Sequence, residues 1–117
     1  MPSVFANLGH LFGSRDPAVD LRRARRDLVD MASHATVRGH RQPIRIINIS
    51  ALGLMCRTDG ALLKGERVSI WLPILKEYPA EVRWVEDGRV GVEFFDPITP
   101  KIYDAMLLLI PPRQTAW

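Results

Sequence analysis

The sequence contains one cysteine, Cys56, and no long apolar run. A single cysteine excludes an internal disulfide, and no stretch approaches the ~20 apolar residues that a helix needs to cross a bilayer. The start of the chain also lacks the basic, apolar and small-residue regions of a signal peptide. We therefore expect a soluble protein of the reducing cytoplasm, without a membrane span.

The common catalytic and metal-binding patterns are also missing. The three histidines are scattered without an HxxxH or CxxC spacing, so no metal site is expected. Neither GxxxxGK[ST] nor GxGxxG occurs, no pair of carboxylates stands out for acid-base chemistry, and Ser50 lacks the context of a nucleophile elbow. We expect neither enzymatic activity nor a cofactor, and a bound nucleotide would have to be held by side chains.

The length and charge of the chain favour one small domain with a focused binding site. A chain of 117 residues with 47% hydrophobic residues can bury a single core. The net charge of +3 comes largely from one arginine cluster, whereas a nucleic-acid-binding surface usually spreads its charge. No aromatic residue alternates with these arginines to stack on bases, so DNA or RNA is not expected as a partner.

The pair Asp16-Pro17 marks the start of the predicted domain, because proline disfavours helix at the residue before it. Upstream, apolar residues at spacings of one, three and four within residues 1–14 would share one side of a short helix. This segment is either a tail, a helix packed on its own domain, or a docking element. The predicted divisions are residues 1–16 as an N-terminal tail or short helix, 17–112 as the domain and 113–117 as a C-terminal tail.

Alternating apolar residues and turn signals predict six strands. The predicted strands are Leu28–Val37, Gln42–Ile49, Leu54–Arg57, Val68–Leu72, Ala80–Trp84 and Val90–Phe94, with turns at Arg38–Arg41 and Asp87-Gly88. In the fifth strand, Ala80, Val82 and Trp84 are expected on one face. Short strands joined by hairpins suggest a small barrel.

The last predicted element is a helix over Thr99–Ile110, with Thr99 as its cap and Pro100 in its first turn. Ile102, Met106, Leu109 and Ile110 have helical spacing, and such a helix is expected to cover a barrel end or edge.

Two polar motifs carry the functional prediction. The first contains four arginines within five residues, whose planar guanidinium groups suit phosphates, carboxylates or the face of a base. In the second, Asn48 offers a donor and an acceptor, Ser50 a hydroxyl, and Gly53 a backbone that can adopt positive φ or lie close to a ligand. Together they indicate a small polyanionic ligand that bears bases.

Arg22 and Arg26 form an RxxxR pattern, and residues 48–53 form a (D/N)xSxxG pattern. With the hairpin formed by residues 80–84 and 90–94, they make the sequence similar to the PilZ domain family, bacterial receptors for cyclic diguanylate (cyclic di-GMP). The resemblance implies a mostly β fold: a six-stranded antiparallel barrel with a C-terminal α-helix. The ligand site implied for cyclic di-GMP consists of Arg22, Arg23, Arg25, Arg26, Asn48, Ser50 and Gly53.

Asn48 stands where aspartate is also common in this family. A carboxylate can accept hydrogen bonds from two guanine N–H groups, whereas an amide has one oxygen and a donor, so guanine binding could be weaker or different here.

The resemblance implies a non-enzymatic receptor whose conformation or contacts with an unidentified effector protein change when cyclic di-GMP binds. The alternative is a ligand-independent protein-interaction module on the same barrel, in which the arginine cluster contacts an acidic partner.

Overall fold

The computed structural model describes residues 25–113, which form six strands and one helix. The elements are β1 Asp27–Val37, β2 His40–Ile49, β3 Gly53–Arg57, β4 Arg67–Leu72, β5 Lys76–Glu86, β6 Arg89–Phe94 and α1 Pro100–Leu107. The strands close into an antiparallel barrel in the order β1-β2-β3-β6-β5-β4. This architecture confirms the predicted small β-barrel with a C-terminal helix.

Two tight hairpins set the register of the barrel. Arg38 and Gly39 join β1 to β2 with φ values of 51° and 77°, and Asp87 and Gly88 join β5 to β6 with φ values of 50° and 77°. Positive φ at both central residues matches the right-handed twist of the flanking strands. The first turn is thus Arg38-Gly39 alone, shorter than the predicted Arg38–Arg41, because strand pairing extends to His40.

The barrel is filled from all six strands and closed by the helix. The largest fully buried side chains include Ile46, Ile49, Ile70, Leu72, Phe94 and Met106. Met106 comes from α1, so the helix contributes directly to the barrel core as expected.

The helix is shorter than predicted, and its buried face is rotated from the predicted one. Thr99 is extended, with φ −64° and ψ 149°, and its side chain makes no capping hydrogen bond, while Pro100 occupies the first turn as expected. Met106 and Ile110 are buried as predicted and Tyr103 joins them, whereas Ile102 and Leu109 are 37% and 60% exposed. Both Ile102 and Tyr103 have helical spacing to downstream apolar residues, so periodicity alone could not distinguish the two faces.

Trp84 does not share the inward face of Ala80 and Val82. A shift in the pairing of β5 with β6 between Val82 and Trp84 breaks the two-residue alternation, and the indole is 39% exposed. A bulge of this kind turns the following side chains toward the opposite face of the sheet.

The helix predicted within residues 1–14 lies outside the described residues. Within residues 25–113, no helix is long and apolar enough to span a membrane.

Candidate functional site

The first hairpin brings the start of β1 next to the end of β2. Asp27, directly after the arginine cluster, pairs with Ile49, and Leu28 pairs with Asn48. Two segments about twenty residues apart in sequence therefore meet at one corner of the barrel.

Irregular pairing shapes this corner. Between the pairs Leu28–Asn48 and Met31–Ile46, two residues of β1 face only Ile47 of β2, and the pairing of β2 with β3 also shifts at Ile47. Such bulges bend the strand and release backbone groups from the ladder. The Ile47 carbonyl oxygen accepts a hydrogen bond of 3.1 Å from Nη2 of Arg113.

Arg113 reaches this position because residues 111–113 lie along β1 after the helix. The backbone N–H of Asp30 donates to the Pro111 carbonyl at 3.0 Å, and that of Arg113 donates to the Leu28 carbonyl at 3.2 Å. β1 pairs with β4 only at Ala35 and Thr36. The short C-terminal segment therefore covers an edge of β1 that β4 leaves open.

Asn48 lies in this corner with an unused acceptor. The residue is 9% exposed, and within residues 25–113 its buried Oδ1 atom has no hydrogen-bond partner. Leaving a buried acceptor unpaired costs about 1–3 kcal/mol. Buried polar groups without a partner are rare in folded proteins, and a donor supplied by a ligand would explain this one.

Ser50 and Gly53 shape the turn between β2 and β3. The Ser50 hydroxyl accepts a hydrogen bond from the Leu52 N–H at 3.1 Å, and the Ser50 N–H donates to the Gly53 carbonyl at 2.8 Å. Because Ser50 is only 6% exposed, its observed contacts serve the turn.

Gly53 is required by close packing between strands. Its φ is not positive, so a left-handed backbone is not the reason for glycine at this position. A Cβ atom at this position would overlap the Val92 carbonyl oxygen of β6. Backbone atoms cannot move aside as a flexible side chain can, so only glycine fits without separating β3 from β6.

The arginine cluster is described in part. Arg22 and Arg23 lie outside the described residues, whereas Arg25 and Arg26 are exposed immediately before β1. Arg25 Nε lies 3.4 Å from Asp27 Oδ1, and the Arg25 side chain is 74% exposed. Such an exposed pair is weak in water, so the guanidinium can exchange it for an anionic ligand at little cost.

Tyr103 connects the helix to both halves of the site. Its hydroxyl oxygen lies 2.6 Å from Asp27 Oδ2 and 3.0 Å from the Ile49 carbonyl oxygen. The hydroxyl has one proton, which favours the shorter, charge-assisted bond to the carboxylate. Burial, followed by the hydrogen bond to Asp27, raises the pKa of Tyr103 well above its ordinary value.

Glu93 places a carboxylate on the barrel face beside Gly53, with which it pairs across β3 and β6. Arg83 lies between two acids, with Nε 3.4 Å from Glu93 Oε1 and Nη1 3.6 Å from Glu81 Oε2. Burial raises the pKa of Glu93, Arg83 opposes this shift, and Glu81 adds to it. The charge beside Gly53 is thus adjustable, because it depends on pH and on where Arg83 points.

Asp27, Tyr103 and Arg113 were missed by the sequence-based site prediction. The apolar spacing of the helix allows two buried faces, so the sequence did not show that Tyr103 points toward the barrel. The pair Pro111-Pro112 was interpreted only as a helix stop, although proline also favours extended backbone that can lie beside a strand edge.

The corner therefore combines exposed guanidinium donors with a buried amide acceptor. In the part of the chain that the structure describes, no group of three His, Cys, Asp or Glu side chains could hold a metal ion. The arrangement suits noncovalent binding of an anion that also carries N–H donors.

Comparison with known proteins shows which solved structure and which protein family this chain resembles. Among solved structures, the crystal structure of YcgR from Escherichia coli in complex with c-di-GMP is similar, with a TM-score of 0.54 and 13% sequence identity. The match covers 75% of this chain and 43% of YcgR, so the chain spans less than half of that protein. No functionally curated protein matches the sequence. The sequence pattern of the PilZ domain matches residues 20–109, which include both polar motifs and every strand, and the chain belongs to the PilZ domain family.

Proposed function

We propose that this domain is a cytoplasmic, non-enzymatic receptor for cyclic di-GMP, and that ligand binding changes its conformation or its contacts with an effector protein. Membership of the PilZ family and the similarity to the YcgR complex with c-di-GMP support this ligand. The proposed ligand-binding residues are Arg22, Arg23, Arg25, Arg26, Asn48, Ser50 and Gly53.

The observation that carries the proposal is the unpaired amide oxygen of Asn48. A guanine base offers N–H donors on its Watson–Crick edge, and one of them would satisfy this buried acceptor. The phosphates of the same ligand would take hydrogen bonds from the guanidinium groups just upstream of Asp27.

The expected conformational response follows from the position of the arginines. Arg25 and Arg26 precede β1 and are exposed, so binding a phosphate would hold this segment against the barrel through charge-assisted hydrogen bonds. Arg25 would then leave Asp27, whose carboxylate also accepts from Tyr103. Ligand binding at Arg25 would thereby affect the helix, because the Asp27 carboxylate contacts both Arg25 and Tyr103.

Titration calorimetry with cyclic di-GMP tests the proposal directly. We expect saturable binding at micromolar concentration or below, and a loss of at least tenfold in affinity for Arg22→Ala and for Arg26→Ala. Arg41→Ala is a matched control, because Arg41 is exposed at the other end of the first hairpin. If the parent chain shows no saturable binding, the alternative of a ligand-independent interaction module on the same barrel is favoured.

Asn48→Asp tests which group faces the guanine. A carboxylate at this buried position should lower the stability of the free protein, because desolvation disfavours its charge. If Asn48 accepts from guanine, the same variant should bind cyclic di-GMP more tightly and show a larger ligand-induced rise in melting temperature. Weaker binding would mean that the amide acts as a donor, where added negative charge repels the ligand.

A further inference from the structure

Three arginines occupy facing positions on adjacent strands of the barrel. Arg45 of β2 pairs with Arg57 of β3, and Arg57 pairs with Arg89 of β6. All three side chains are exposed, whereas Cys56, the residue before Arg57 in β3, is fully buried. The arginines thus form a row across the outer face of the barrel, with Cβ atoms of neighbours about 5 Å apart.

This row is unfavourable for folding. Like charges at directly opposed positions of a sheet destabilise it. Arg45 is compensated by Asp30, whose Oδ1 lies 2.7 Å from Arg45 Nε. Among the described residues, no carboxylate lies within ion-pair distance of Arg57 or Arg89. Repulsion that the fold does not need is often retained for a functional reason.

An apolar platform lies beside the row. Met55 pairs with Gly91, and Gly91 pairs with Trp84, one position along the same outer face. The Trp84 indole lies against Gly91 so closely that a Cβ atom there would overlap it. The missing side chain therefore lets the ring lie across β6, where 39% of Trp84 stays exposed.

We propose that this surface, formed by Arg57, Arg89, Trp84 and Met55 and here called the arginine-tryptophan surface, binds a protein partner through acidic side chains around an apolar anchor. Arginine, tryptophan and methionine are enriched at protein interfaces, and tryptophan and arginine supply much of their binding energy. Arg57 faces only arginines across the sheet, and Arg89 faces Glu86 without an ion pair among the described residues, so both guanidinium groups complement carboxylates of a partner. Glu86, which faces Arg89, makes the border mixed in charge and thus less suited to a polyanion such as nucleic acid.

The surface adjoins the proposed cyclic di-GMP site. On the outer face of β3, Met55 is two residues from Gly53, about 7 Å along the strand, and Arg57 is four residues away, about 14 Å. A partner on the arginine-tryptophan surface would lie next to a bound nucleotide without needing Arg57 to hold that nucleotide.

Selection from a random 12-residue phage-displayed peptide library tests the proposal with the intact chain. Peptides selected on the parent should be enriched in Asp and Glu around a large apolar residue. In titrations, the tightest peptide should lose at least tenfold in affinity for Arg57→Glu and for Trp84→Ala. Lys64→Glu is the matched control, since it makes the same charge change on an exposed loop and should bind as the parent does.

The stability of the same variants separates a lost contact from a lost fold. Arg57→Glu should melt at a higher temperature than the parent, because it replaces two repulsive pairs with attractive ones, and it should keep cyclic di-GMP affinity within about threefold, since charges this far apart are largely screened. The proposal is overturned if the selected peptides lack acidic residues, or if Arg57→Glu and Lys64→Glu bind them equally. If a dT12 oligonucleotide at 150 mM salt binds more tightly than the selected peptides, the surface is assigned to nucleic acid instead. If the parent self-associates and Arg57→Glu does not, the surface is assigned to a second copy of the chain.

Discussion

Removing the Tyr103 hydroxyl tests whether the helix and the ligand site share one structural unit. In Tyr103→Phe the ring, which is buried to 94%, keeps its packing, because only the oxygen is removed. The loss is confined to the hydroxyl, whose oxygen lies 2.6 Å from Asp27 Oδ2 and 3.0 Å from the Ile49 carbonyl oxygen.

The cost follows from the nature of the acceptors. A hydrogen bond to a charged group contributes about 1.5–3 kcal/mol. The Asp27 side chain is 25% exposed and can regain some water, so we expect a loss of about 2 kcal/mol in the free energy of unfolding. For a domain of this size, that loss lowers the melting temperature by about 8 °C.

Tyr78→Phe is the matched control. It removes a hydroxyl that donates to the Asp96 carbonyl at 2.8 Å, outside the ligand site. This neutral, exposed bond should contribute about 0.5–1 kcal/mol. Both variants should be compared by denaturant unfolding and by cyclic di-GMP titration, where only Tyr103→Phe should weaken binding, by several-fold.

Alkaline pH gives an independent readout. The folded state raises the pKa of Tyr103 above its ordinary value of 10.0, so the folded protein holds this proton more tightly than the unfolded chain. The resulting stability is fully present below pH 10 and is lost as the pH rises through the folded pKa, and Tyr103→Phe should lack this loss. If Tyr103→Phe matches Tyr78→Phe in unfolding and in ligand affinity, the hydroxyl does not join the helix to the site.

The remaining predictions concern packing and ionisation elsewhere in the barrel. Gly53→Ala should cost about 3 kcal/mol in unfolding free energy because the methyl group overlaps backbone of β6, whereas Gly39→Ala, with φ 77° and open space, should cost about 1 kcal/mol; equal melting temperatures for the two variants would contradict this reason. Glu93 has a raised folded pKa, so the stability it contributes is present below pH 4.5 and is lost as the pH rises above that value; Glu93→Gln should remove this decline, and parallel pH profiles would refute it. Burial raises the pKa of Cys56 to about 12, so a thiol reagent should modify it at the rate of unfolding, and rapid labelling of the native protein would show that the core opens locally.

The local signals in the sequence determined most of the fold. Alternation in segments such as Val68–Leu72 predicts strands with one buried face, and Asp87-Gly88 predicts a tight hairpin because both residues tolerate positive φ. The two polar motifs indicated the family and its ligand, because each motif is recognised from nearby residues and their spacing, without knowledge of distant parts of the chain.

Tertiary structure alone decided the features that depend on contacts between distant segments. Gly53 is needed because β6 approaches it, and nothing near Gly53 in sequence reports that approach. The bulge that exposes Trp84 depends on the register of β5 against β6. Tyr103 meets Asp27 across 76 residues only after the barrel closes. Periodicity records which residues favour burial, whereas close approach, register and hydrogen-bond partners are fixed when the six strands and the helix pack together.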